Sequence, residues 1–242
     1  SEMCIRDRLW EALQNVTERE ELPRGYMLFD RLYPAQKPEG MHIPLREQGF
    51  DLVFDYKDKE RGYQTTLPSG AVVIDGGLYS PGIQSFPGLI DPHSQYEAGQ
   101  IDYETYMVRL EGRKRFALAT KGTKNSAGDR RFRCPVKAPG ASLSCALVAR
   151  GDEQNTAKQR LELTVKDVSG FSAAPPAICR QASATIKNSV EDGARWLQQG
   201  PAYGTPEWQE VYGQRNMIES RNDKLKNCLL YTSLMARGRR VD

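Results

Sequence analysis

Long hydrophobic runs are missing: nowhere in the 242 residues does an apolar stretch approach the roughly 18 needed to cross a bilayer, which excludes a membrane-spanning helix. Cysteine is scarce, with five residues in all, too few for a disulfide-dense mini-protein, and 21 glycines are too few for a collagen. An excess of one charge is missing too. Lysine and arginine total 34 against 31 aspartate and glutamate, a net +3, unlike a histone-like polycation. What remains, at 39% hydrophobic residues, is a globular chain long enough for one large core or two modest ones. Length therefore permits an enzyme without specifying its kind.

Both ends are set aside from fold reasoning. Residues 1–8 (SEMCIRDR) and 228–233 (CLLYTS) resemble translated sequencing-adapter DNA in a metagenomic reading frame, and the origin of residues 234–242 is open. On this reading the natural protein extends further at both ends. No apolar signal-peptide core follows residue 9, and without Cys4 and Cys228 only Cys134, Cys145 and Cys179 remain. Three cysteines close no disulfide framework, which favours a reducing cytoplasm.

The near-neutral total hides an uneven distribution. Residues 1–60 and 61–108 each sum to −4, whereas residues 109–137 carry ten basic against two acidic residues, +8. This segment includes Arg113, Lys114, Arg115, Arg130 and Arg131, with Phe116 and Phe132 interleaved, and reads as a footprint for a polyanion or as a solvated, salt-bridged surface.

Local patterns predict a strand over residues 26–29 (YMLF), a helix over 36–48 past Pro34 and Pro38, and a strand over 50–56 (FDLVFDY) after Gly49. Strand, helix, strand is the unit of α/β sheets. Residues 57–200 are rich in Gly, Pro and Ser and in short β-prone runs at 71–74, 115–120 and 160–165, which predicts a β-rich, loop-rich insertion. A helix of about 20 residues follows, starting at Thr205-Pro206-Glu207, with Thr as N-cap and Pro at the first helical position.

On that helix Trp208, Tyr212, Arg215, Glu219 and Lys226 fall within a stripe of roughly 60° when each residue advances 100°. Val211, Ile218 and Leu225 form a neighbouring apolar seam able to pack on a core. Read plainly, Arg215 and Glu219 are also an ordinary i, i+4 pair.

The spacing Tyr212, two residues, Arg215, three residues, Glu219, six residues, Lys226 resembles the Y-(2)-R-(3)-E-(6)-K signature of DDE transposases of bacterial insertion sequences. GYMLFDRLYP and PLREQGFDLVFDY resemble the same family's second-Asp strand, its helix and the following strand, and the Cys134-Pro, Cys145, Cys179 pattern recurs in related sequences. The resemblance implies an α/β fold. It further implies that residues 9–56 are a partial RNase H-like core, 57–200 the insertion and 201–227 the returning catalytic helix. It also implies that Asp30 and Glu219 are catalytic carboxylates holding Mg2+ or Mn2+, that Tyr212, Arg215 and Lys226 contact phosphates of double-stranded DNA, and that the partner in such an assembly is a second copy, a homodimer on DNA. The family's first Asp has no counterpart among residues 9–26, so little turnover is expected from these residues alone. The rival readings are a non-catalytic DNA-binding module and a non-functional remnant.

The chemistry explains the residue types. In-line transfer of a phosphodiester builds charge on entering and leaving oxygens, which two divalent ions about 3.5–4 Å apart stabilise, and hard Mg2+ takes carboxylate rather than His or Cys ligands. Asp51, Asp55 and Asp75 are rival acids near strands, with Asp55 the strongest of them. Asp30 has a plainer reading as a turn cap or a partner of Arg31. Cys134, Cys145 and Cys179 lack a fourth ligand and C-x2-C spacing, so small buried thiols are preferred over a structural zinc site. His42 and His93 have no motif around them and read as structural.

Overall fold

The computed structural model describes residue 7 and residues 9–14, 24–146, 161–163, 175–181 and 183–237; side chains of 161, 162, 218, 219, 222 and 227–237 fall outside that description. The fold is mixed α/β. Strand β1 (Tyr26–Phe29) and strand β2 (Asp51–Phe54) pair in parallel, Tyr26 opposite Asp51 and Phe29 opposite Phe54. A parallel pair needs a crossover, and helix α2 (His42–Glu47) supplies it; residues 9–14 form the preceding helix, α1. The expected helix over 36–48 is shorter because Lys37 stays extended ahead of Pro38, and Pro38–Gly40 makes only a 3-10 turn.

The hydrophobic side chains sort by segment. One cluster joins Phe29, Met41, Leu45, Leu52, Phe54 and Tyr56 to Tyr203 and Trp208, so residues near both ends of the chain share a core. The other two clusters draw only on residues 67–197, among them Val73, Leu118 and Ile178 in one, and Ile74, Phe116 and Leu143 in the other.

The intervening segment holds three small sheets. Strands β3 (Tyr63–Thr66), β4 (Val72–Ile74) and β5 (Gly77–Tyr79) form an antiparallel meander. Asp75 and Gly76 connect β4 to β5, both with positive φ, 46° and 74°, as a two-residue hairpin turn requires. A side chain at position 76 would also strike the Tyr56 hydroxyl. Strands β6 (Ala119–Lys121) and β7 (Arg130–Arg133) pair with β10 (Ala184–Ile186) in the order β10-β7-β6, and β8 (Leu143–Cys145) pairs in parallel with β9 (Leu161–Leu163).

This segment is more helical than its composition suggested. Helix α3 (Pro92–Glu97) and helix α4 (Tyr103–Lys114) are capped by Asp91 and Asp102, whose carboxylates accept from Ser94 N and Thr105 N. Helix α5 (Ala177–Arg180) precedes β10. The run expected as a strand over 115–120 begins in the cap of α4; Ala117 then bridges Tyr79, Leu118 N donates to the Leu78 carbonyl, and β6 itself starts at Ala119. The final helix, α6 (Pro206–Arg237), starts where Thr205 Oγ1 accepts from Trp208 N and runs about ten residues past 227. Residues 228–237 contain no Gly or Pro to stop it. Among the described residues no helix is long and apolar enough to cross a membrane.

Asp75 also anchors the segment between β2 and α6. Its carboxylate accepts from Gly62 N and from Arg113 Nη1, both at 2.6 Å, while Arg113 donates to the carbonyls of Leu89 and Ile90. Arg113→Met is expected to cost about 3–5 kcal/mol of stability, since it leaves a buried carboxylate unpaired; a denaturant midpoint within error of the wild type would contradict this.

His42 adds a pH dependence. Its ring is fully buried, Nε2 donates to the Tyr33 carbonyl at 3.0 Å, and Nδ1 has no partner. Burial, with Arg46 nearby, pushes its pKa down to about 3. The unfolded chain therefore takes up a proton near pH 6.5 that the folded chain refuses, so stability is complete above about 6.5 and falls as pH drops toward 3. Between pH 6.5 and 5 this loss amounts to about 2 kcal/mol. In His42→Gln that part of the slope should vanish; identical slopes for the two proteins would refute the assignment.

Candidate active site

Parallel strands place residues one step beyond Phe29 and Phe54 side by side, and those residues are Asp30 and Asp55. Asp55 N donates to the Phe29 carbonyl at 3.1 Å, continuing the ladder. Two carboxylates thus sit at the C-terminal edge of the β1–β2 pair. Asp30 Oδ1 accepts from Leu32 N at 3.0 Å, closing the turn after β1. Asp55 is the more occupied acid: Oδ2 binds Arg31 Nε at 2.7 Å and Oδ1 accepts from the Tyr203 hydroxyl at 3.0 Å. Arg31 accordingly pairs with Asp55 and not with Asp30.

Helix α6 reaches this edge through aromatic packing. Tyr56 meets Tyr203 edge-on at 5.4 Å, Tyr203 meets Trp208 at 4.7 Å, and Trp208 stacks on Tyr212 at 4.6 Å with 9° between planes. Trp208 is buried whereas Tyr212 is half exposed, so the helix leaves the core at Tyr212. Its hydroxyl accepts from Arg215 Nη1 at 2.8 Å, and Arg215 Nη2 lies 3.5 Å from Asp30 Oδ2. One turn of α6 therefore lays the Tyr212 and Arg215 stripe against the strand end carrying Asp30. Burial raises the Tyr212 hydroxyl pKa against the pull of Arg215, with Asp55 and Asp30 adding to the rise. Tyr203 is raised further, by burial and then by Asp55. Both phenols are thus neutral donors at neutral pH.

Glu219 is carried by α6 one turn beyond Arg215, and its side chain lies outside the described residues. Lys226 is exposed, about 16 Å further along the axis than Arg215. Of the rival acids, Asp51 is bound by Lys124 Nζ at 2.8 Å, and Asp75 is spent on Arg113. Among the described residues no group of three or more His, Cys, Asp or Glu is assembled to hold a metal ion. Asp30 and Asp55 offer the hard oxygen atoms that Mg2+ prefers, and Asp30, engaged by one backbone N–H and a long contact to Arg215, is the more accessible of the two.

The basic segment does not form one surface. Arg113 requires correction as a DNA contact: at 3% exposure, with its donors spent on Asp75 and two carbonyls, it is a structural residue. Lys114 is half exposed and paired with Glu111 at 2.6 Å, and Arg115 is exposed. On β7, alternation sends Arg130 and Arg131 to opposite faces. Arg131 is exposed and donates to Ser183 Oγ at 3.1 Å, while Arg130 is half buried.

Cys134, Cys145 and Cys179 are free thiols that come together around the turn Pro135–Lys137, whose Lys137 Nζ donates to the Cys179 carbonyl at 2.7 Å. Burial raises Cys134, and it raises Cys179 to about 11 with help from the other two sulfurs, so both stay protonated thiols at neutral pH.

Missed by sequence reasoning were Tyr203 and the Arg31 to Asp55 pair; the Asp following the second strand was the available signal. No protein-family model, curated protein or solved structure matches the chain.

Proposed function

We propose that this chain carries the second-Asp strand and the Glu-bearing helix of a DDE-type DNA transposase, whose parent cuts and joins transposon-end DNA with Mg2+ or Mn2+. The observation that supports this most is the contact between Arg215 of α6 and Asp30 at the end of β1, across 185 positions of sequence. The arginine of a four-residue signature, held by the signature's tyrosine, thereby meets the acid that the same resemblance singles out. Asp30 and Glu219 would hold the metal, which supplies charge stabilisation at the entering and leaving oxygens. Tyr212 and Arg215 present a hydroxyl and a planar guanidinium suited to phosphate oxygens, and Lys226 a point charge farther along the helix.

A family first Asp has no counterpart in these residues, so the expected activity is DNA binding without turnover. Binding of double-stranded DNA should weaken steeply with salt, with a log-log slope of about −0.9 per phosphate neutralised. Lys226→Gln and Arg131→Gln should each reduce that slope by about 1. A flat salt response would exclude the reading.

The second reading, a non-catalytic DNA-binding module, draws on Asp30 closing the turn at Leu32 N. The two differ in their response to metal. Millimolar Mn2+ should tighten DNA binding by the wild type and not by Asp30→Asn under the transposase reading, whereas equal responses favour the module.

A further inference from the structure

A cleft of about 240 Å3 lies between the face of the β6-β7-β10 sheet and the chain returning toward α6, away from Asp30. Its walls are mostly apolar, with Phe132 and Ile186 from the sheet, Leu118 just ahead of it, and Leu197 opposite. Its charged residues are all cationic: Arg46, Lys124, Arg130 and Lys187. Lys124 is satisfied by Asp51 at the rim and by the carbonyls of Gly49 and Phe50, and Lys187 is exposed within electrostatic reach of Glu191.

Arg46 and Arg130 are different. Arg46 is 4% exposed, and its guanidinium meets only neutral acceptors, the carbonyls of Ala194 and Leu197 and Asn188 Oδ1. Burial pushes its pKa down to about 10, as expected of a cation without a carboxylate partner. Among the described residues its Nε is buried with no hydrogen-bond partner, and the same holds for Arg130 Nε. A buried charge is ordinarily paired, and a buried donor is ordinarily satisfied. Two buried guanidinium N–H groups thus stand beside one cleft whose lining holds no acid.

We propose that this cleft binds a small organic phosphate with a flat apolar body, the chemistry of a single nucleotide, supplied either free or as one residue of a DNA strand. The phosphate sits against Arg130 and Lys187, with Arg46 behind them as the buried source of positive potential, and the flat body lies on Phe132 between the aliphatic walls. Guanidinium forks suit phosphate geometry, and an aromatic face accepts any base. The site does not depend on the transposase reading, because none of its residues belongs to the Asp30 and α6 cluster.

Calorimetric titration with 2′-deoxyadenosine 5′-monophosphate, 2′-deoxyadenosine and inorganic phosphate tests this on the full chain. The monophosphate should bind at least about tenfold more tightly than the nucleoside, since hydrogen bonds to a charged group are worth a factor of that size. Arg130→Gln should weaken the monophosphate by about tenfold, and Phe132→Ala should weaken the monophosphate but not inorganic phosphate. Lys187→Gln, at an exposed position, gives the same reading if Arg130→Gln does not fold. Displacement of the monophosphate by a single-stranded oligonucleotide assigns the site to a DNA strand; failure to displace assigns it to a free nucleotide. Absence of monophosphate binding, or affinity unchanged in both Arg130→Gln and Lys187→Gln, overturns the proposal.

Discussion

The return of the chain after its long excursion is the contact on which the rest depends. Residues 194–208 must lie back on a β1-α2-β2 unit built some 150 positions earlier, and the closure is made with backbone groups. Gln199 N donates to the Leu52 carbonyl, and Gln199 Oε1 accepts from Leu52 N, so the return segment acts as a neighbour to β2. Tyr56 donates to the Trp196 carbonyl at 2.6 Å, and Arg46 donates to the carbonyls of Ala194 and Leu197. These carbonyls would otherwise be buried unsatisfied, each at a cost of about 1–3 kcal/mol. A guanidinium inside the protein is thus the clamp that holds the loop closed, and its remaining unmet donor is the same feature that makes the adjoining cleft electropositive.

Closure in turn fixes where α6 begins. Tyr203 and Trp208 enter the first core, and the stack continues through Tyr212 to Arg215, so the direction of the helix is set by one aromatic ring just before it and two within its first two turns. Among the described side chains beyond that point, Met217 and Leu225 are 61% exposed. The stripe is therefore positioned by tertiary contact near its start, at Tyr212 and Arg215.

Much of the first core was legible in sequence. Pro, Gly and β-prone runs marked β1 and β2 to within a residue or two, and Thr205-Pro206 marked the start of α6 through cap chemistry that is local. Their meeting followed from resemblance, not from any local signal. The insertion was harder to read. Asp102 caps α4 as clearly as Thr205 caps α6, yet α4 has only a weak apolar stripe, with Tyr106 and Leu110 buried between charged residues, and the glycine-rich surroundings masked it. Asp75-Gly76 is a strong hairpin signal passed over because its strands are only three residues long. Arg113 could not have been told from its basic neighbours, since its role is set by Asp75, 38 positions away. Val211, Ile218 and Leu225 were expected as a seam against the core, and Leu225 is instead exposed because α6 has already left the core surface there.

On the proposed function, the end of β1 and the α6 stripe would form one divalent-cation site. Localised cleavage by bound iron tests it most directly: with Fe2+ in place of Mg2+, ascorbate and peroxide generate hydroxyl radicals that cut the backbone beside the metal, and the fragments are mapped by mass spectrometry. The account predicts cuts near both Asp30 and Glu219, competed by Mg2+ and lost together in Asp30→Asn. Cuts confined to one of these positions, or unchanged in Asp30→Asn, would contradict it.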